Sequence, residues 1–172
     1  MASPDEYRKF VANAPEAQRE YRTIELYHPD FTQVLRFVRD FGNVDLTLES
    51  DAPRDPSMSV TFTAIAMNIT EPGESGEIEQ ILTVDLGAVG GEASNQIAMI
   101  TESGSLVPVE LIYRKFYSGD LTEPVLVLSL SVADISFKDY NAVSFTGEDI
   151  NFANKRAGEI YLTERFVGLR NL

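Results

Sequence analysis

Hydrophobic and polar residues alternate along most of this chain, with the period of β-strands rather than of helices. The cleanest run places Val44, Leu46 and Leu48 on one face and Asp45, Thr47 and Glu49 on the other. Tyr21 to Tyr27 and Val34 to Arg39 predict two further strands around a His28-Pro29-Asp30 turn. With the Asp40–Asn43 connection and the 44–49 run they predict an antiparallel hairpin and its continuation. Ser59 to Thr70 predicts a long strand whose apolar phase slips near Ala64. Val60, Phe62, Ala64 and Ala66 make one face, and Ile65, Met67 and Ile69 the other. Such a slip predicts a bulge or two buried faces. Glu71 to Glu77 is an acidic turn, and Ile78 to Leu86 returns as a strand, so 58–86 reads as one long hairpin. Val107–Tyr117, Pro124–Asp134 and Tyr140–Gly147 predict three more strands, with turns at Ser118-Gly119-Asp120 and Phe137-Lys138-Asp139.

Two stretches carry helical signals instead. Ser3, Pro4 and Glu6 supply a cap, a first-turn proline and a capping-box acid, and Tyr7, Phe10, Val11 and Ala14 share one face. Pro15 limits that helix to about three turns. Glu92 to Ser103 predicts a second helix, with Ile97, Ile100 and Thr101 on one side and Gly104 placed to end it. Some eight strands and two short helices predict a mainly β protein, an antiparallel β-sandwich or barrel with an N-terminal helix and one flanking helix. Residues 1–150 form the single domain, of which 1–20 are the helix and its lead-in. Residues 151–172 form a C-terminal arm.

Composition changes this picture mainly through charge. At 172 residues and 44% hydrophobic, the chain can bury one full core. It has no cysteine, which excludes disulfides and cysteine-type zinc sites. Its longest apolar run, Val125 to Ala133, is far short of the ~20 residues a membrane helix needs. The acidic, polar start predicts no signal peptide. A net charge of −13 argues against a duplex-binding protein, yet suits a surface that DNA slides past. The charge is also segregated. From Asp40 to Tyr113 the only base is Arg54 among thirteen acids, whereas the arm holds Lys155, Arg156, Arg165 and Arg170 against Glu159 and Glu164. A subunit polarised in this way can pair its basic arm with a neighbour's acidic middle, a head-to-tail contact that closes into a ring if the rotation allows.

Catalytic signals are thin. The one histidine, His28, reads as a surface or turn residue beside Pro29. No Gly-x-Ser-x-Gly elbow occurs, and Gly73-Glu74-Ser75-Gly76 lies in a loop. The glycines of 87–91 follow a strand and precede a helix, but without a lysine or a nucleotide-binding spacing they read as a plain turn. Asp51 with Asp55, or Glu71, Glu74, Glu77 and Glu79, could offer oxygens to calcium. Neither run has the alternation of an EF-hand loop, and both read as solvated acidic loops. No enzyme activity, cofactor or metal is expected.

Several motifs resemble a known family. Phe10-Val11-Ala12-Asn13-Ala14-Pro15 and Ile24-Glu25-Leu26-Tyr27-His28-Pro29-Asp30-Phe31 are similar to its opening segments. Val38 to Phe41, Leu48 to Pro53 and Val60 to Ala64 follow in register. Asn154-Lys155-Arg156 and Tyr161 to Leu169 resemble its close, with Val167 in place of a proline and Ala157-Gly158 in place of Phe-Pro. The family is a domain of unknown function encoded in the tail modules of long, non-contractile-tailed bacteriophages and prophages. The resemblance implies a structural virion protein of the distal tail with the tail-tube fold, assembled as a hexameric ring that lets DNA pass. Its implied partners are copies of itself, the tail-tube protein, hub or tail-tip proteins and the tape-measure protein. Lys155, Arg156, Arg165 and Phe166 are the expected assembly residues, and Glu71, Glu74 and Glu77 an expected acidic loop facing the lumen. A trimeric hub or tail-completion component is the nearest alternative. A carbohydrate- or receptor-binding β-sandwich is the alternative of another kind, although the chain lacks tryptophan.

Overall fold

The computed structural model describes residues 4–13, 18–71, 81–87, 95–96, 98–100, 102, 104–105, 107–139 and 142–148. The protein is mainly β, as the periodicity predicts. Helix α1 (Pro4–Asn13) precedes nine strands: β1 (Glu20–Tyr27), β2 (Leu35–Val38), β3 (Val44–Thr47), β4 (Ser59–Ala64), β5 (Met67–Thr70), β6 (Ile81–Leu86), β7 (Glu110–Tyr117), β8 (Leu126–Asp139) and β9 (Ala142–Glu148). They hydrogen-bond in the order β3-β4-β2-β1-β7-β8-β9-β6-β5.

Two long segments turn this order into a sandwich-like, nearly closed shape. The first is 59–70, predicted as one strand. It breaks at Ile65–Ala66, next to the phase slip, into β4, beside the edge strand β3, and β5, the opposite edge. Both apolar sets find a core. Phe62, with Val60 and Ala64, packs with Tyr21, Val38, Leu46 and Phe116, while Ile65, Met67 and Ile69 pack in the main core. The second is β8, whose first half pairs with β7 and whose second half pairs with β9 across a register shift between Val132 and Asp134. A bulge at that point bends the strand from one half of the sheet to the other. The main core holds residues of β1, β2 and β5 to β9, including Ile24, Leu111, Leu82 and Phe145, all almost fully buried.

Three expectations differ from the structure. The sheet is mixed, because β4 lies parallel to β2 and separates it from β3. The 44–49 run therefore does not continue the β1–β2 hairpin. The 58–86 hairpin exists only where β5 pairs with β6, since β4 pairs with β2 and β3 instead. Strand β8 runs through Asp139, which pairs with Ala142, so the turn predicted at 137–139 is strand. In α1, Tyr7 and Phe10 pack on Tyr117, as the helical face requires, but Val11 is 60% exposed. The described residues of the second predicted helix are helical, and Gly104 adopts φ +61°, the left-handed conformation that ends a helix.

Candidate functional site

Strands β1 and β7 are buried on both faces, and this decides where charge ends up. Register pairs Glu25 with Ile112 and Thr23 with Arg114, so Tyr21, Thr23 and Glu25 share a face with Ile112, Arg114 and Phe116. The 48–58 segment supplies Glu49, Arg54 and Asp55 to this face. Alternation alone reads Glu25 and Arg114 as solvent-facing. Both are 0% exposed.

Burial without a partner would cost either group several kcal/mol, and each is instead tied into one network. Glu25 accepts from three arginines: Arg54 Nε at 2.9 Å, Arg36 Nε at 3.1 Å and Arg114 Nη1 at 3.1 Å. Arg114 also grips Glu49 in a fork, with Nε at 2.8 Å from Oε2 and Nη2 at 2.7 Å from Oε1. The outer ends are closed by Arg36 to Asp55 and Arg54 to Glu110, both at 2.6 Å. Arg54 stacks on the Tyr27 ring at 4.2 Å from its centroid. Burial works against its charge, but the bonds to Glu110 and Glu25 outweigh that and raise its pKa. Asp55 and Ser57 sit at positive φ (50° and 57°), so the loop holds a sparsely populated conformation while delivering these groups.

A smaller cluster lies on the other face of β1 and β7. Glu71, just past β5, accepts from Tyr113 Oη at 2.9 Å and from Lys115 Nζ, and lies 3.6 Å from Arg22. Burial would raise its pKa, but the Lys115 and Tyr113 bonds win and lower it. Tyr7 Oη donates to Glu20 at 2.9 Å and fixes α1 against the sheet. Burial first, and then the Glu20 bond, push the Tyr7 phenol up to about 12; burial and Glu71 push Tyr113 up as well.

His28 lies in the predicted turn but is fully buried rather than on the surface. Its Nδ1 accepts from the Asp30 amide at 3.1 Å and its Nε2 reaches the Val107 carbonyl at 3.2 Å, so the ring carries its proton on Nε2. Both nitrogens are committed to backbone. Glu71 is half-buried and charge-matched within the subunit. Glu74, Glu77, Lys155, Arg156, Arg165 and Phe166 lie outside the described residues. Asp55, one of the candidate calcium ligands, is held by Arg36. Among the described residues no group of three or more acids or histidines is set to hold a metal ion.

Beside the network the outer face of β8 carries two adjoining hollows of about 340 and 370 Å3 that share Pro53 and Ser129. Glu49, Asp51 and Glu123 line the first and Glu110 the second. Of these acids, Glu49 is bonded to Arg114 and Glu110 to Arg54. The candidate site is therefore a pair of shallow hollows beside a buried, ion-paired network.

No curated protein matches the chain. A family model does match, over residues 7–161, and the chain belongs to that family, described as Domain of unknown function (DUF1833).

Proposed function

We propose that the protein is a structural subunit of a long bacteriophage tail, placed in a ring at the distal end between tube and hub and lining the passage for DNA. The observation that carries this reading is how the domain spends its bases. Arg19, Arg22, Arg36, Arg54, Arg114 and Lys115 are each bonded to acids of the same chain. Residues 1–150 hold 25 acids against ten bases, whereas the arm holds four bases against two acids. An acidic wall repels the phosphate backbone and does not trap it. A rigid body with a basic, aromatic arm supplies the two halves of a heterologous contact.

Removing residues 151–172 and imaging the resulting tails by electron microscopy tests the reading. Tails that stop short or lack a tip are expected. Complete tips at normal abundance would discard the arm as an assembly element.

A further inference from the structure

The connection between β2 and β3 carries Phe41 fully exposed at its tip, with open space around the neighbouring Gly42. One exposed apolar side chain is ordinary by itself. Here the backbone beneath it is fixed. The Arg39 amide donates to the Arg22 carbonyl and the Asp40 amide to the Val38 carbonyl, both at 3.0 Å. Asp40 Oδ1 accepts from the Phe41 amide at 2.8 Å, and Arg19 holds the same carboxylate at 3.2 Å. Asn43 Oδ1 accepts from the Ala64 amide at 2.9 Å, which ties the far end of the loop to β4. A ring on a loop that is already ordered gives up little further freedom on binding, as an interface anchor should. Two residues away Arg39 is exposed, and among the described residues no acid is bonded to its guanidinium. An anchor of this kind fits a hollow with an apolar wall and a carboxylate at its rim.

The same chain carries one. The hollows of about 340 and 370 Å3 on β8 share Pro53 and Ser129, and Leu126, Val127, Ile112 and Leu130 add apolar lining. An apolar cavity of about 150 Å3 already takes up benzene, so either hollow has room for a phenyl ring. Glu49, Glu110 and Glu123 all have partners. Asp51, at the rim of the first hollow, is exposed, and among the described residues no base is bonded to it. It matches Arg39 in charge and in being unbonded. The two features lie at opposite ends of β3, an edge strand of four residues, with Arg39 and Phe41 before it and Asp51 and Pro53 after it. Full exposure of Phe41 shows that a chain does not fill its own hollow. A second copy can fill it, and each copy so bound keeps a free loop or a free hollow for the next.

We propose that the protein associates head to tail with copies of itself. Phe41 of one copy enters the hollow beside Pro53 and Ser129 of the next, and Arg39 pairs with the next copy's Asp51. The contact deepens the ring reading by naming the surfaces that meet. It rests on that reading only for closure into a ring, since the pairing is a property of the chain in solution.

Sedimentation equilibrium of the full chain tests the proposal. The unmodified protein should pass beyond a dimer as its concentration rises, as a head-to-tail contact requires. Phe41→Ala, at a fully exposed position, should raise the dissociation constant about tenfold or more. Ser129→Arg, at an exposed position shared by both hollows, should block the other side of the contact to a similar extent. Mixed in equal amounts, these two variants should form a heterodimer and nothing larger, because one supplies the ring and the other the hollow. Arg39→Glu should weaken association several-fold, and Asp51→Arg added to the same chain should restore it. A monomer at every concentration, assembly that stops at a dimer, or unchanged association of either single variant would each overturn the proposal. So would a mixture that gains nothing, or a charge exchange that restores nothing. Normal tail tips after removal of the arm would count against the tail reading alone and leave this contact standing.

Discussion

Replacing Glu25 by Gln removes one charge from the centre of the network and keeps its shape. Glu25 is fully buried and is the shared acceptor of Arg36, Arg54 and Arg114. Arg114 retains Glu49, Arg36 retains Asp55, and Arg54 retains the half-exposed Glu110. The variant thus brings three guanidiniums together with no anion between them, and turns an amide N–H towards at least one of them. Removing one partner of a buried ion pair costs about 3–5 kcal/mol, most of it the penalty of the charge left behind. For a chain of this length that lowers the midpoint of thermal unfolding by roughly 6–20 °C. Urea unfolding followed by far-ultraviolet circular dichroism measures the loss directly. The comparison is Asp40→Asn, which breaks a pair whose Arg19 side chain is 61% exposed and should cost much less. A Glu25→Gln loss no larger than that of Asp40→Asn would refute the idea that the network is a dry, interdependent unit.

Further predictions concern the helix clasp and the bend. With seven tyrosines and no tryptophan, phenolate formation can be followed cleanly by absorbance. Tyr7 should titrate near pH 12, above the ordinary 10.0 of a phenol. Because its pKa in the fold is raised above the ordinary 10.0, its contribution to stability is full below pH 10 and lost as pH rises towards 12. Tyr7→Phe should remove both that late step and that alkaline loss. Glu71 behaves with the opposite sign. Its pKa is held below the ordinary 4.5, so its contribution is present above that pH and lost on further acidification, and Glu71→Gln should flatten the acid limb of the stability curve. Gly147→Ala should destabilise by about 1–3 kcal/mol in chemical unfolding, since a Cβ there meets Leu111 Cδ2 at 2.6 Å and Leu130 Cδ1 at 3.2 Å.

Much of the fold is legible because strand alternation is a direct image of burial. The Val44–Leu48 run, the phase slip near Ala64 and the glycine after the second helix all map onto observed features. Pairing is less legible. Nothing local in Ser59–Ala64 says that it inserts parallel beside β2, because partner choice is settled by which apolar faces meet across the whole chain. The buried charges were hidden by the same alternation that revealed the strands. A signal for Arg114 did exist. Leu111 and Tyr113 are apolar on one face of β7 and Ile112 and Phe116 on the other, so a strand this apolar on both sides must bury the arginine between Ile112 and Phe116. Burial then demands carboxylates, and Glu25 and Glu49 are the ones that register delivers. His28 misled for a related reason. A Pro-Asp turn reads as exposed, but this one folds inward over Phe31, whose ring lies 5.9 Å from the imidazole.

The role proposed for this chain is a place in a particle. Electron cryomicroscopy of tails from a phage encoding this chain tests it most directly. Density for the nine-stranded domain, repeated around the tail axis at the distal end with acidic residues towards the channel, is the expected result. Tails that lack this chain, or that carry it as a single copy away from the channel, would contradict it.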